Sequence, residues 1–130
     1  MSKVQCELTV RGNSGSAWVR AVISPETRFS LIRSDLSEKV NGPRIHRLTK
    51  PVRIRVEKDG PMIVAHAACI LMFEMKGESV DSGFFVADDL PFDLIIGDNI
   101  IRDWGIKVDP AKGDYEIVPD PDRFLIGVCD

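Results

Sequence analysis

The sequence has 130 residues, of which 44% are hydrophobic and 28% are charged, and its formal net charge is −3. This composition fits one globular domain with its own core and is too apolar for a disordered chain. No basic cluster stands out, which argues against a nucleic-acid partner, and the apolar segment 62–73 is too short to span a membrane.

The first third of the chain predicts a hairpin followed by a short helix. Apolar residues alternate with polar ones over residues 4–10, the pattern of a strand with one buried face. Glycine, asparagine and serine at 12–16 predict a turn, and residues 17–23 predict the returning strand. Ser34 is placed to cap a helix over residues 35–40, with an aspartate at its positive end.

The middle of the chain predicts a second hairpin. Residues 52–57 alternate between apolar and charged, and Asp59-Gly60 signals a tight turn into the apolar segment 62–73. Another turn is expected across 75–82, around Lys76 and Gly77, and Asp81-Ser82-Gly83 is expected to turn into the next strand. Further short strands are predicted at residues 84–87, 92–96, 106–109, 115–118 and 124–128, with a helix over 98–104. Many short strands with few helical turns predict a closed β-barrel or a sandwich.

Two segments of the C-terminal half resemble a known family. They read FDLIIGDNII at residues 92–101 and GIKVDPAKG at residues 105–113. Their order and spacing are similar to those of retropepsin-like aspartic proteases, above all the type found in long-terminal-repeat retrotransposons and their domesticated cellular relatives. The resemblance covers residues 4–118. It implies an all-β fold: a closed barrel, one lobe of the acid-protease fold, with one or two short helices.

The same alignment places the family's catalytic motif directly after the predicted strand 17–23. Ser24 stands where the family has its catalytic aspartate, Pro25 where it has threonine or serine, and Glu26 where it has glycine. In the family two chains each supply one aspartate, and the pair shares a proton. Serine has no charge at neutral pH, proline lacks an N–H, and glutamate adds bulk. We therefore expect a pseudoprotease that binds or dimerises rather than cuts.

The resemblance also assigns two further groups of positions. Asp59 and Gly60 lie in the turn that corresponds to the family's flap, and so they are candidate binding residues. Ile95, Ile96 and Gly97 correspond to the segment that runs behind the catalytic loop, where their role is structural. The register therefore predicts that Ile23, Ser24 and Pro25 pack against the 94–96 segment.

Other sources of catalysis remain open at this point. One alternative is an active, dimeric aspartic endopeptidase that uses a non-standard carboxylate, either Glu26 or Asp81 of the literal Asp-Ser-Gly tripeptide. Ser24 with His46 or His66 would be a serine hydrolase, but no nucleophile-elbow pattern accompanies it. No residues have the spacing of a metal site, and neither a metal nor another cofactor is expected.

The expected partners follow from the family's architecture, in which each chain supplies half of the active site. We expect a homodimer that binds a peptide or protein, and no nucleic acid or membrane. The domain is expected over residues 1–118 and a tail over 119–130, with a terminal strand at the dimer interface. Cys6, Cys69 and Cys129 are odd in number, which predicts free buried thiols and an intracellular, cytoplasmic protein. Trp18 and Trp104 are expected in the core.

Overall fold

The alternating residues at the N-terminus form strand β1 (Val4–Arg11), which buries Val4, Leu8 and Val10. Strand β2 (Ser16–Ile23) returns antiparallel to it, with Val4 opposite Ile23. The predicted hairpin is confirmed. The structure is a computed structural model, and it describes residues 3–118.

A short strand leads directly into the first helix. Strand β3 (Leu31–Arg33) is followed by helix α1 (Ser34–Asn41), and Arg33 is the extended residue at the N-cap position. The prediction that Ser34 caps this helix is wrong: Ser34 is already helical, and no side chain caps the helix. Arg33 is held in extended conformation because its backbone N–H donates to Asp93 O at 3.1 Å. The helix therefore begins one residue early.

The second hairpin consists of β4 (His46–Arg55) and β5 (Met62–Met75). Arg55 pairs with Met62, so the connection spans the six residues 56–61. The predicted turn at Asp59-Gly60 is confirmed within it, because the Gly60 N–H donates to Glu57 O at 3.1 Å. The β4 register also shifts between Arg47 and Val52, which places the four residues 48–51 opposite the single residue His66.

Strand β6 (Glu78–Ala87) pairs with β5 after a turn formed by Lys76 and Gly77. Both turn residues have positive φ, 51° and 85°, as two-residue hairpin turns require. The predicted turn at Asp81 is wrong, because this residue lies inside β6 opposite Met72. Pairing along the long β5 strand outweighs the local turn preference of the Asp-Ser-Gly tripeptide.

Strand β7 (Leu94–Ile96) closes the structure. It lies parallel to β2 and antiparallel to β3, and the strand order is β1-β2-β7-β3-β6-β5 with β4 outside β5. Pairing of Val10 with Phe73 joins β5 back to β1. The result is the predicted all-β fold, a closed six-stranded barrel with two short helices.

The C-terminal part of the described chain covers one end of the barrel. Helix α2 (Asp98–Trp104) ends at left-handed Gly105, and strands β8 (Ile106–Asp109) and β9 (Asp114–Ile117) form a small hairpin. Trp104 packs against the core as predicted, whereas Trp18 is 54% exposed, so its core assignment is wrong. The predicted strand 124–128 and the tail 119–130 lie outside the described residues. Within residues 3–118 no helix is long and apolar enough to cross a membrane.

Candidate functional site

The segment after β2 lies at the centre of the barrel, beside β7. Ile23 pairs in parallel with Ile96, and the Ser24 N–H donates to Ile96 O at 2.9 Å. The predicted packing of Ile23 and Ser24 against the 94–96 segment is confirmed. This pairing is the one that the register of the resemblance requires.

Residues 24–30 form a loop that is hydrogen-bonded to the start of α2. The Asp98 N–H donates to Thr27 O at 2.7 Å, and the Asn99 N–H donates to Arg28 O at 3.3 Å. The first N–H groups of a helix have no partner within the helix. Loop carbonyls that face them give these donors an acceptor, and the carbonyls gain a donor in turn. The loop is therefore held by backbone contacts that do not depend on its side chains.

Two buried hydroxyls occupy the middle of this loop. Thr27 Oγ1 lies 2.9 Å from Ser24 Oγ and 2.6 Å from the carbonyl oxygen of Val56, and both hydroxyl residues are at most 1% exposed. Each hydroxyl has one proton to donate. When Thr27 donates to Val56 O, the Ser24 hydroxyl donates to Thr27. Ser24, which the resemblance in sequence aligns with the family's aspartate, is thus a neutral, hydrogen-bonded residue.

The Thr27 contact also joins the loop to the β4–β5 hairpin. Val56 is the first residue after β4, and it is 5% exposed. Loop and hairpin are in direct hydrogen-bonding contact there, which leaves no room for a peptide backbone between Thr27 and Val56. No sequence pattern predicts this contact, because Thr27 and Val56 are 29 residues apart.

Pro25 and Glu26 lie at the surface of the loop. Pro25 is half-buried and Glu26 is exposed. Glu26 has no hydrogen bond or ion pair with any residue in the described part of the chain. Its φ is not positive, because Lys76 alone among the non-glycine residues of 3–118 has that conformation. The glutamate at the family's glycine position therefore sits in an ordinary backbone conformation and points to solvent.

A second set of polar residues lies behind the loop. Ser30 Oγ donates to Asn99 Oδ1 at 2.8 Å and accepts the Gly97 N–H at 2.8 Å. A Cβ on Gly97 would lie 2.5 Å from Phe29 O and 2.8 Å from Thr27 O, so only glycine fits this close approach. We call Ser30, Gly97 and Asn99 the support. Sequence reasoning assigned Gly97 a structural role but missed the two side chains that bond around it.

The remaining candidate residues do not come together. His46 and His66 are exposed on β4 and β5, and neither bonds to Ser24. Asp81 is exposed on β6. Asp59 is exposed in the hairpin connection. Among the described residues, Ser24 therefore has no base beside it and no second carboxylate joins Glu26.

Cysteine chemistry is also disfavoured within residues 3–118. Burial raises the pKa of the Cys6 thiol to about 11, and burial likewise raises the pKa of Cys69. Both thiols are free and protonated at neutral pH, so neither is an activated nucleophile. The described residues contain no cluster of histidine, cysteine and acidic side chains that could hold a metal ion.

A concavity lies beside the hairpin rather than over the loop. A cavity of about 620 Å³ opens between the 56–64 part of the hairpin and the connection from β6 to β7. Its walls include the apolar Met62, Val64, Pro91 and Phe92 and the polar Glu57, His66, Asp88 and Asp89. Lys3 forms an ion pair with Glu57 and lies 5.8 Å from the centre of the Phe92 ring. An apolar cavity with a few polar groups at its rim is typical of ligand-binding sites.

Comparison with solved structures agrees with this architecture. The chain is similar to the retroviral protease-like domain of Ddi1 from Leishmania major, with a TM-score of 0.63, 15% identity, and coverage of 92% of this chain and 98% of that one. It is also similar to EIAV protease complexed with the inhibitor HBY-793, with a TM-score of 0.60, 14% identity, and coverage of 81% and 90%. No family model and no curated protein matches the sequence. The chain therefore has a retropepsin-like fold.

Proposed function

We propose that this chain is a catalytically silent retropepsin-like module that associates with itself and binds a peptide or protein. The observation that carries the proposal is the loop at Ser24. A buried serine, bonded to Thr27, stands at the position that the resemblance in sequence aligns with the family's catalytic aspartate. Aspartic proteolysis needs one carboxylate to take a proton from water and a second to polarise the peptide carbonyl. Serine at this position supplies no carboxylate.

The contact between the loop and the hairpin supports the same conclusion. A substrate of this fold has to lie between the catalytic loop and the flap. In this chain Thr27 Oγ1 lies 2.6 Å from the carbonyl oxygen of Val56 between the loop and the hairpin. The one carboxylate of the loop, Glu26, faces solvent. Self-association alone would not move its side chain into the buried position of Ser24.

Peptide binding is proposed for the cavity beside the hairpin. At about 620 Å³ it falls within the usual range for small-ligand sites, roughly 300–1,000 Å³. Met62, Val64 and Phe92 offer apolar contacts, and Asp88 and Asp89 offer acceptors at the rim. The hairpin connection that carries Asp59 and Gly60 borders this cavity. Binding by such a site requires no catalytic aspartate.

Homodimer formation is proposed from the half-site nature of the fold. We assign the domain to residues 1–118 and a tail to residues 119–130. The proposed contacts are the loop 24–27 and one terminal strand, either residues 4–10 or residues 124–128. Strand β1 pairs with β2 along its length and with β5 only at Val10 and Arg11. A stable interface of this kind buries on the order of 1,600 Å².

Two measurements test the proposed function. Light scattering at micromolar protein should give the mass of a dimer; a monomer mass that does not change with concentration would contradict self-association. A cleavage assay on casein and mixed peptides should show no turnover between about pH 3 and pH 8, a range that spans the ordinary pKa values of carboxyl and imidazole groups. Glu26→Gln and Asp81→Asn variants serve as controls, since turnover that either one abolishes would identify a non-standard carboxylate.

A further inference from the structure

A concentration of positive charge lies along the outer strand of the hairpin. Six of the 17 lysine and arginine residues fall between positions 44 and 58, and Glu57 is the one carboxylate among them. The expectation from composition that no basic cluster stands out is therefore wrong for this segment. The six residues are Arg44, Arg47, Lys50, Arg53, Arg55 and Lys58.

These cations are exposed, and no carboxylate neutralises them. None of the six forms an ion pair with another residue of the described chain, whereas Lys3, Arg33, Lys76 and Arg102 each do. Arg55 reaches only backbone carbonyls, at 3.4 Å from Lys58 O and 3.5 Å from Gly60 O. A row of like charges without counter-charges repels itself, and it favours an anionic partner.

The strand that carries these charges has a free edge. Within residues 3–118, β4 pairs with β5 on one side and with no strand on the other. The regular part of β4 is residues 52–55. Val52 pairs with Ala65 at one end of it, and Arg55 pairs with Met62 at the other. In an antiparallel ladder every second residue of an edge strand points its N–H and C=O outward, so this segment offers backbone groups to a further strand.

The side chains along this edge alternate in character. Arg53 and Arg55 project to one face, about 7 Å apart along the strand, and Ile54 projects to the other, where it is 3% exposed. A strand added beside them would place every second residue opposite the arginines. Carboxylates at those positions would pair with them, and the residue between would lie beside Ile54.

We infer that the free edge of β4 binds an extended acidic peptide by strand addition, with carboxylates at alternate positions opposite Arg53 and Arg55 and an apolar residue between them. A second copy of the same edge is disfavoured, because arginines would then face arginines. A nucleic acid would meet the cations, but it has no peptide N–H and C=O groups to pair with the backbone of the edge. No residue of β4 lines the cavity beside the hairpin, so this edge is distinct from the proposed peptide site.

The probe is a fluorescein-labelled peptide of about ten residues in which glutamate and valine alternate. Saturable binding is expected by fluorescence anisotropy. The double variant Arg53→Glu, Arg55→Glu should weaken it about tenfold or more, because two opposite-charge pairs become like-charge pairs. A matched double variant, Lys39→Glu with Lys107→Glu, makes the same change of charge at exposed sites on α1 and β8. It should change the affinity by less than about twofold, since exposed charges farther than a Debye length are screened.

Two further probes separate strand addition from general attraction of anions. The same peptide N-methylated at alternate residues loses backbone N–H donors. Its affinity should therefore fall by at least the factor expected for the arginine double variant. A single-stranded oligonucleotide of similar charge should bind more weakly than the peptide. Equal binding of the N-methylated peptide, tighter binding of the oligonucleotide, or no peptide binding at millimolar protein would each overturn the inference. Unchanged thermal unfolding of both double variants verifies that they fold.

Discussion

The loop and the support lie side by side in the barrel, yet they differ in what their residues do. The support is built from Ser30, Gly97 and Asn99, and the Ser30 hydroxyl joins the Gly97 N–H to the half-buried side chain of Asn99. In the loop, Ser24 and Thr27 bond to each other and to Val56 of the hairpin. The support thus holds the barrel's own segments together, whereas the loop is bonded to the hairpin.

The difference teaches that the fold and the chemistry depend on separate residues. The Gly97 N–H is buried and needs an acceptor whether or not peptides are cut, so Ser30 is required for stability. The aspartate of an active enzyme has no such role in folding. A buried serine hydroxyl with a partner costs less to bury than a buried carboxylate. A serine at position 24 is therefore compatible with an intact barrel.

The largest effect is expected from Gly97→Ala. The new Cβ would lie within 2.8 Å of three backbone atoms of Phe29 and Thr27, and backbone cannot move aside cheaply. We expect a loss of about 3 kcal/mol or more in the free energy of unfolding. Urea denaturation measures it. Gly83→Ala is the control, since no atom lies within 4 Å of its Cβ, and it should be neutral or stabilise by up to about 1 kcal/mol. Equal losses of unfolding free energy in the two variants would show that the close approach at Gly97 does not matter for stability.

Ser30→Ala against Ser24→Ala compares the two regions directly. Ser30→Ala leaves the Gly97 N–H and Asn99 Oδ1 without this partner, and a loss of about 2 kcal/mol is expected. After Ser24→Ala the Thr27 hydroxyl still donates to Val56 O, so the loss should stay below about 1 kcal/mol. Urea denaturation of both variants decides. A larger loss for Ser24→Ala would mean that the loop, not the support, stabilises the barrel.

Thr27→Val tests the bond between loop and hairpin. Valine keeps the shape of threonine but leaves the buried Val56 carbonyl without this donor, which should cost about 1.5 kcal/mol. Amide hydrogen exchange should quicken in residues 54–63 and stay unchanged in 94–96. Thr9→Val, at an exposed position of β1, is the matched control and should stay within about 0.5 kcal/mol of the parent. Unchanged exchange in the hairpin would show that the contact does not hold it closed.

Much of the fold could be predicted because the pattern is local. The alternation in β1, the positive-φ turn at Lys76 and Gly77, and helix α2 ending at Gly105 all follow from neighbouring residues. The errors arose where distant pairing prevailed. Asp81 has a turn-forming neighbourhood but pairs with β5, and the β4 register sets the length of the hairpin connection. Trp18 faces outward because of the barrel's geometry, which hydrophobicity alone does not reveal.

The site was only partly predictable for a similar reason. Ser24 and Gly97 could be placed, because a resemblance in sequence carried their register. The bond from Ser30 to Asn99 spans 69 residues, and the bond from Thr27 to Val56 spans 29. Serine, threonine and asparagine are common in loops, so their types alone do not show which of them meet. The basic edge of β4 was also missed, because a net charge averages over the whole chain.

The smallest effect is expected from Ser24→Asp, which should give no turnover of casein or peptides. The new carboxyl would be buried beside Thr27, where burial favours its neutral form and weakens it as a base. Pro25 and Glu26 would remain, and the Thr27–Val56 bond would still hold the hairpin against the loop. Comparison with the triple variant Ser24→Asp, Pro25→Thr, Glu26→Gly locates the obstacle. If only the triple variant shows turnover, the obstacle to catalysis is Pro25 and Glu26. If neither the single nor the triple variant shows turnover, the obstacle is the hairpin contact. Turnover by Ser24→Asp itself, abolished by a transition-state mimic of aspartic proteolysis, would contradict the expectation that Pro25, Glu26 and the hairpin contact prevent catalysis.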